Sequence, residues 1–294
     1  MEEPHDHTRF SVIVPAYNEA AYISRALDSL LHQDYDGTYE VIVVDNNSTD
    51  DTAAIAAEYG VRVVSEPQQG VCAARQCGVD CARGEIIIST DADTTQPRDW
   101  LRTIDARFAD SDEVVAVAGP CRYLDPSWWA KAYPTLLFGL VAVVYFVTGF
   151  VFYVSATNIA IRRSAFPGYD PKLTQGGDEL DLLRRVRRRG WVRWERQNVV
   201  TTSARRLQRG LLYNFFVTFL VYYLLAYWLN RLSQRQAFGM APAFRQERLH
   251  SFPPVMVRRR VVLGILVVGL TSLGFATGAG DAAVDSLANF WHGP

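Results

Sequence analysis

The sequence predicts an α/β protein built on a mostly parallel β-sheet flanked by helices. Two observations carry that prediction. Short Val- and Ile-rich runs recur through the first 120 residues, and a polar break followed by helical periodicity separates several of them. The runs are also continuously apolar, as strands covered on both faces must be. They are SVIVP at 11–15, EVIVVD at 40–45, VRVVS at 61–65, EIIIST at 85–90 and EVVAVAG at 113–119. Between them AAYISRALDSLLHQ, TDDTAAIAAEYG and GVCAARQCGVDCARG read as helices. Alternation of this kind layers helices on a parallel sheet, and ligands then sit outside the carboxyl ends of the strands.

With 294 residues, 49% hydrophobic and 21% charged, the chain is long enough for one large domain and an appendage. Intrinsic disorder and a small disulfide scaffold are excluded. Cys72, Cys77 and Cys81 share one helix-like stretch and fit neither zinc spacing nor a secreted framework, so they read as cytosolic thiols. The five His are scattered, and no His metal site is expected. The opening MEEPHDHTRF lacks a basic start and an apolar core, so residues 1–9 read as a polar tail and export by a signal peptide is not expected.

Three polar clusters follow strands: PAYNE (15–19), DNNSTD (45–50) and DADT (91–94). They converge on one edge of the predicted sheet. Residues 48–51 precede a helix and read first as a cap. Asp91 and Asp93 repel each other at a strand end, and a bound divalent cation would offset that cost. Neither GxxxxGK[ST] nor GxGxxG occurs, which disfavours a P-loop phosphotransferase and a Rossmann dehydrogenase. A diphosphate at this edge would instead need Mg²⁺ or Mn²⁺ on Asp91 and Asp93. Tyr17 could stack on a base and Asp45 could accept from a base N–H.

FSVIVPAYNE, VIVVDNNSTDDT and GVCAARQCGVDCARGEIIISTDADT, in this order, resemble the family 2 glycosyltransferases, which have the GT-A fold. The resemblance covers roughly residues 10–200 and implies a catalytic domain over 10–205. It implies a nucleotide-sugar donor held by Pro15, Ala16, Tyr17 and Glu19, with Asp45 on the base and Arg75 near the nucleotide. Asp91 and Asp93 match the family's Asp-Xaa-Asp, with Asp93 the direct metal ligand. Asn46 and Asn47 stand where many members have Asp-Gly, and Gln76 where many have Asn. NIAIRRSAFPGYDPKLTQGGDELDLLRRVRRRG (158–190) is similar again. Placing Leu182 and Arg185 on the family's later positions puts the general base on Glu179. The inverted acid order keeps Asp178 as the alternative. An inverting, metal-assisted displacement follows.

Three apolar runs approach spanning length: 136–154, 211–229 and 261–278. A single crossing at 136–154 would put Asp93 and Glu179 on opposite sides of a bilayer. That run is therefore buried in the core, re-entrant, or at the interface beside the site. Charge orients the others. Residues 1–120 hold 8 Arg against 22 Asp and Glu, whereas residues 183–260 hold 17 Arg against 2 Glu. The Arg-rich stretch, 206–260 above all, reads as a cytoplasmic juxtamembrane collar. This favours a transmembrane helix at 261–278, an outside tail at 279–294, and an aromatic-rich interfacial helix at 211–229 with Asn214, Thr218 and Tyr222 on one stripe; the alternative is a two-span hairpin with residues 230–260 outside. Nucleic acid is not an expected partner. Gly274 and Gly278 form a GxxxG pair that hints at a helix-mediated oligomer. RGWVRW (189–194) is only superficially like the QxxRW of processive synthases, which argues against export of a long polymer.

The expectation is thus a cell-membrane enzyme with a cytoplasmic catalytic domain that moves one sugar to a lipid-linked acceptor. Two rivals stand beside it: a sugar-phosphate nucleotidyltransferase, and a catalytically silent membrane scaffold that binds nucleotide sugars.

Overall fold

In the computed structural model the described residues are 8–124, 128–170 and 178–210. The first half is β1 (Phe10–Ala16), α1 (Ile23–Leu31), β2 (Tyr39–Asp45), α2 (Thr52–Glu58), β3 (Arg62–Ser65), α3 (Val71–Cys81) and β4 (Ile86–Ser89). There follow β5 (Thr94–Thr95), α4 (Trp100–Ala109), β6 (Val114–Ala118), β7 (Cys121–Leu124), α5 (Trp128–Thr148), β8 (Ile159–Arg162), α6 (Asp178–Val186), β9 (Trp191–Trp194) and β10 (Val200–Ser203). A final 3₁₀ turn covers Ala204–Arg209.

The main sheet has seven strands in the order β3-β2-β1-β4-β8-β6-β9. All five strands expected from the sequence point the same way. β8 alone reverses, pairing antiparallel to both β4 and β6. β1 is central and paired on both sides, and Phe10, Val12, Ile13 and Val14 are fully buried, which accounts for its unbroken apolar run. The helices cover it through periodic faces. α1 buries Ile23, Ala26, Leu27 and Leu30 at three- and four-residue spacing. α3 lies so close that a Cβ on Gly78 would sit 2.4 Å from Ile13 Cγ2.

A second sheet, β5-β10-β7, has no counterpart in the sequence reading. Its strands, TT, CRYL and VTTS, are two to four residues long and lack the Val- and Ile-rich composition that marks the equally short β3 and β4. RGWVRW proves to be the edge strand β9, with Trp194 stacked 5.8 Å from Phe138 of α5.

The 136–154 run is a core segment on one face only. It forms most of α5 and the return from it. α5 is the one helix among the described residues long and apolar enough to cross a membrane. Phe138 and Val141 pack inward, while Leu136, Leu140, Val143, Phe146 and Val147 face outward, Phe146 at 90% exposure. The interfacial helix at 211–229, the span at 261–278, the Gly274/Gly278 pair and both tails lie outside the described residues.

Candidate active site

The carboxyl ends of β1, β2 and β4 form one edge, and the polar clusters of the sequence meet there. The loops after β1 and β2 are sewn together. Ser48 Oγ accepts from Asn18 N at 3.0 Å, Asn18 Oδ1 from Thr49 N at 2.7 Å, and Thr52 Oγ1 from Glu19 N at 2.8 Å. Asp50 accepts from Ala20 N and Thr52 N. The capping expectation for 48–51 holds for Asp50 alone, which accepts from Thr52 N at the start of α2; Asp51, the cap position, makes no side-chain cap bond, and Ser48 and Thr49 hold the first loop. Asn18 and Asn47 take left-handed backbone, φ 53° and 63°, which Asn tolerates better than most residues.

These bonds fix a platform. Ala16 is buried, Pro15 and Tyr17 are half-buried beside it, and Asp45 ends β2 in register with Ala16. Asn46, 3% exposed, donates to Glu66 O and Gln68 O and accepts from Gly70 N, so it moors the loop leading into α3. Asn47 donates to Pro67 O in the same loop. An Asp in place of Asn46 would bring carboxylate oxygen against two carbonyls.

α3 then delivers Arg75. Its side chain is almost wholly buried, its Nη2 lies 2.9 Å from Asp91 Oδ1, and its guanidinium stands 5.9 Å from the Tyr169 ring centroid. Gln76, next along, accepts from Tyr169 N at 2.7 Å and donates to Asp80. Its observed role is to pin the segment between β8 and α6.

Asp93 is held from the other side. The second sheet brings Thr202 to it, with Oγ1 donating to Asp93 Oδ1 at 3.2 Å. Arg205, just past β10, reaches Asp93 Oδ2 at 3.1 Å and spans both oxygens of Glu19 at 2.7 and 2.5 Å. The same guanidinium lies 4.9 Å from the Tyr22 ring centroid. Burial pushes the Glu19 carboxyl above its ordinary value; Arg205 opposes the push, and the charges of Asp93 and Asp91 add to it. Three acids and two guanidinium groups thus form one alternating cluster.

The expected base region opens α6. β9 runs toward the edge, because Trp194 pairs with Ala118 at the end of β6. α6 leads through a four-residue connection into β9, and Asp178 and Glu179 are its first two residues. Glu179 is half-buried; the Asp178 side chain lies outside the described residues. Leu182, Leu183 and Val186 are buried and set the helix rotation. Asp181 is engaged by Arg184 and Arg185, at 3.3 and 2.7 Å, which gives that acid a structural task.

Sequence reasoning missed Arg205, Thr202 and the mooring role of Asn46. It assigned the arginines of 183–260 to a membrane collar. Within the described part, Arg184 and Arg185 hold Asp181, and Arg205 serves Glu19 and Asp93. A count of charge does not separate an arginine that folds inward from one that faces lipid.

Among the described residues no three His, Cys, Asp or Glu gather as a cation site. The cysteines are free thiols, Cys72 and Cys121 buried. Asp91 and Asp93 nevertheless fit a hard cation, which takes carboxylate oxygens and completes its shell with phosphate and water. The guanidinium of Arg205 beside Asp93 shows that the position accommodates positive charge.

The model of the family described as "Glycosyl transferase family 2" matches residues 11–169. Glycosyltransferase AglE of Haloferax volcanii is 38% identical over 98 residues, 31% of this chain and 32% of that protein. The chain spans about a third of the length of the curated relatives it matches. Among solved structures, mannosyltransferase PcManGT from Pyrobaculum calidifontis, in complex with GDP-Man and Mn²⁺, superposes with a TM-score of 0.61 at 22% identity, covering 96% of this chain and 82% of that one. S. aureus TarS 1–349, in complex with UDP-GlcNAc, gives 0.53 at 23% identity, covering 67% of this chain and 58% of that one.

Proposed function

Because this chain belongs to the family 2 glycosyltransferases, we propose that it transfers one sugar, with inversion, from a nucleotide-sugar donor to a lipid-linked acceptor at the cytoplasmic face of a cell membrane. One observation carries the reading: Asp91 and Asp93 close β4 inside a cluster of alternating charge made with Arg75, Arg205 and Glu19. An anionic donor at that edge needs positive charge among acids, and the cluster is arranged to present it. The complexes of PcManGT with GDP-Man and Mn²⁺ and of TarS with UDP-GlcNAc support a nucleotide-sugar donor and a divalent cation here.

In this reading Tyr17 stacks on the base, Pro15 and Ala16 shape its floor, and Asp45 accepts from a base N–H. Glu19 holds the ribose side and is kept in place by Arg205. Asp93, with Asp91 beside it, would hold Mn²⁺ or Mg²⁺, which would supply stabilisation of the negative charge developing on the departing diphosphate. Arg75 fixes Asp91. Glu179, or Asp178, accepts the acceptor's proton as its oxygen bonds to the anomeric carbon and the bond to the diphosphate breaks. The lipid-linked acceptor and the membrane setting rest on the apolar runs of the sequence and on α5.

A panel of nucleotide sugars with membrane lipid extract, read as release of nucleoside diphosphate, tests the proposal. Release that needs one donor and the lipid fraction is expected. Release of pyrophosphate from a nucleoside triphosphate would make the chain a nucleotidyltransferase. No turnover of any donor with Mn²⁺ would leave a silent nucleotide-sugar-binding scaffold.

A further inference from the structure

We propose that the outward face of α5 is a monotopic membrane-docking surface: an apolar stripe that lies in the plane of an anionic bilayer, with a cation at its far end. The inference rests on the membrane setting proposed above, and deepens it by naming the surface that meets the lipid.

The helix cannot cross. β7 before it and β8 after it belong to sheets of the same body, so both ends of the segment return to one side. The turn is built in: Gly149, at φ +71°, ends the helix, and the chain runs back so that Tyr153 meets Phe138 at 6.0 Å and Val151 and Val154 are buried. Phe138, Val141 and Tyr145 form the inward face. Leu136, Leu140, Val143 and Val147 fall three or four residues apart on the opposite face, joined by Phe146 and, past the turn, Phe150. At about 1.5 Å per residue the helical part of the stripe runs for about 17 Å.

No charged residue occurs from 132 to 161. A solvated helix face would carry several. Charge returns outside the stripe. Lys131 is exposed in the first turn of α5, on the row of Phe138 and Val141, and at the far end of the stripe the Arg187 guanidinium lies 4.3 Å from the Phe150 ring centroid while donating to Val151 O. An uncharged stripe with a cation beside its far end suits a helix sunk to the acyl boundary with that cation at the level of anionic headgroups. The hydroxyls of Thr135 and Thr148 turn back to Lys131 O and Val144 O and so add no outward polar group. α5 follows β7, whose last residue, Leu124, pairs with Ser203, two residues before Arg205.

The test uses the full chain with an environment-sensitive fluorophore on Phe146→Cys, and on Glu58→Cys of α2 as the remote control. Unsubstituted protein carried through the same labelling supplies the background from the native thiols. Vesicles contain phosphatidylcholine with or without phosphatidylglycerol. The Phe146 label is expected to shift to the blue on vesicle binding and to be quenched by spin-labelled lipid at least threefold more than the Glu58 label. Leu140→Asp with Val143→Asp is expected to abolish that shift, or weaken vesicle binding at least tenfold, while affinity for a nucleoside diphosphate stays unchanged. The proposal is overturned if the protein pellets with vesicles and the Phe146 label remains in water, since the contact then lies elsewhere. It is equally overturned if the label is already shielded without lipid, as residues 211–229 or a second copy would do, or if no vesicle binds. Nucleotide affinity is read separately, so failure of the donor reading is distinguishable from failure of this one.

Discussion

Arg205 lays its two terminal nitrogens across the carboxylate of Glu19, at 2.7 and 2.5 Å, from 186 residues further along the chain. The same guanidinium touches Asp93. One cation thus ties the loop after β1, the end of β4 and the strand β10, and it does so where an incoming metal and diphosphate would bring charge of their own.

Removing that cation leaves two acids facing each other in a half-closed site. Arg205→Ala is expected to destabilise the fold by about 3 kcal/mol, the scale for breaking a largely buried pair. Glu19→Gln in the same chain should recover part of the loss. Thermal melts with and without Mn²⁺ check this, and added Mn²⁺ should raise the midpoint of Arg205→Ala more than that of the parent. Equal Mn²⁺ shifts would separate Arg205 from the cation position.

Asp93→Ala and Asp91→Ala bear on the departing diphosphate. Each is expected to lower the rate of nucleoside diphosphate release by at least about a hundredfold, as loss of one charge stabiliser does elsewhere. A chelator should do the same to the parent. Undiminished turnover in Asp93→Ala would remove its role.

Glu179→Gln tests the base. A general base contributes about a hundredfold or more to the chemical step. The expected result is that loss in kcat with little change in KM, and a smaller loss in Asp178→Asn. A mild effect of Glu179→Gln would instead point to an acceptor that is already a phosphate anion and needs little deprotonation.

The thiols make a pH prediction. Burial pushes Cys121 up to about 12, where nearby Asp91 adds to the push and Ser155 and Thr157 oppose it. Burial pushes Cys77 up to about 11, with Cys81 and Glu66 adding to the push. The folded protein thus favours the protonated form. The associated stability is fully present below the ordinary thiol value of about 9. It is lost as the pH rises toward 11 for Cys77 and 12 for Cys121. Alkylation of both at pH 8 should be far slower in native protein than in denaturant, read by mass spectrometry; equal rates would contradict it.

The sequence by itself determined the sheet and its ligand edge. Five apolar runs and three helices between them were legible because a strand buried on both faces, as β1 is, has no use for polar residues. PAYNE, DNNSTD and DADT were legible because polar side chains at the ends of such strands stand out. Only the tertiary structure decided what completes the edge. The second sheet is made of short strands that lack the Val- and Ile-rich composition of β3 and β4, and Thr202 and Arg205 owe their places to the pairing of β10 with β5 and β7. An arginine among ten between 184 and 209 carries no mark of which carboxylate it will meet. α5 shows the same division: its apolar length was plain in the chain, but which of its faces is covered follows from Phe138 meeting Trp194, a contact between distant elements that no local pattern encodes.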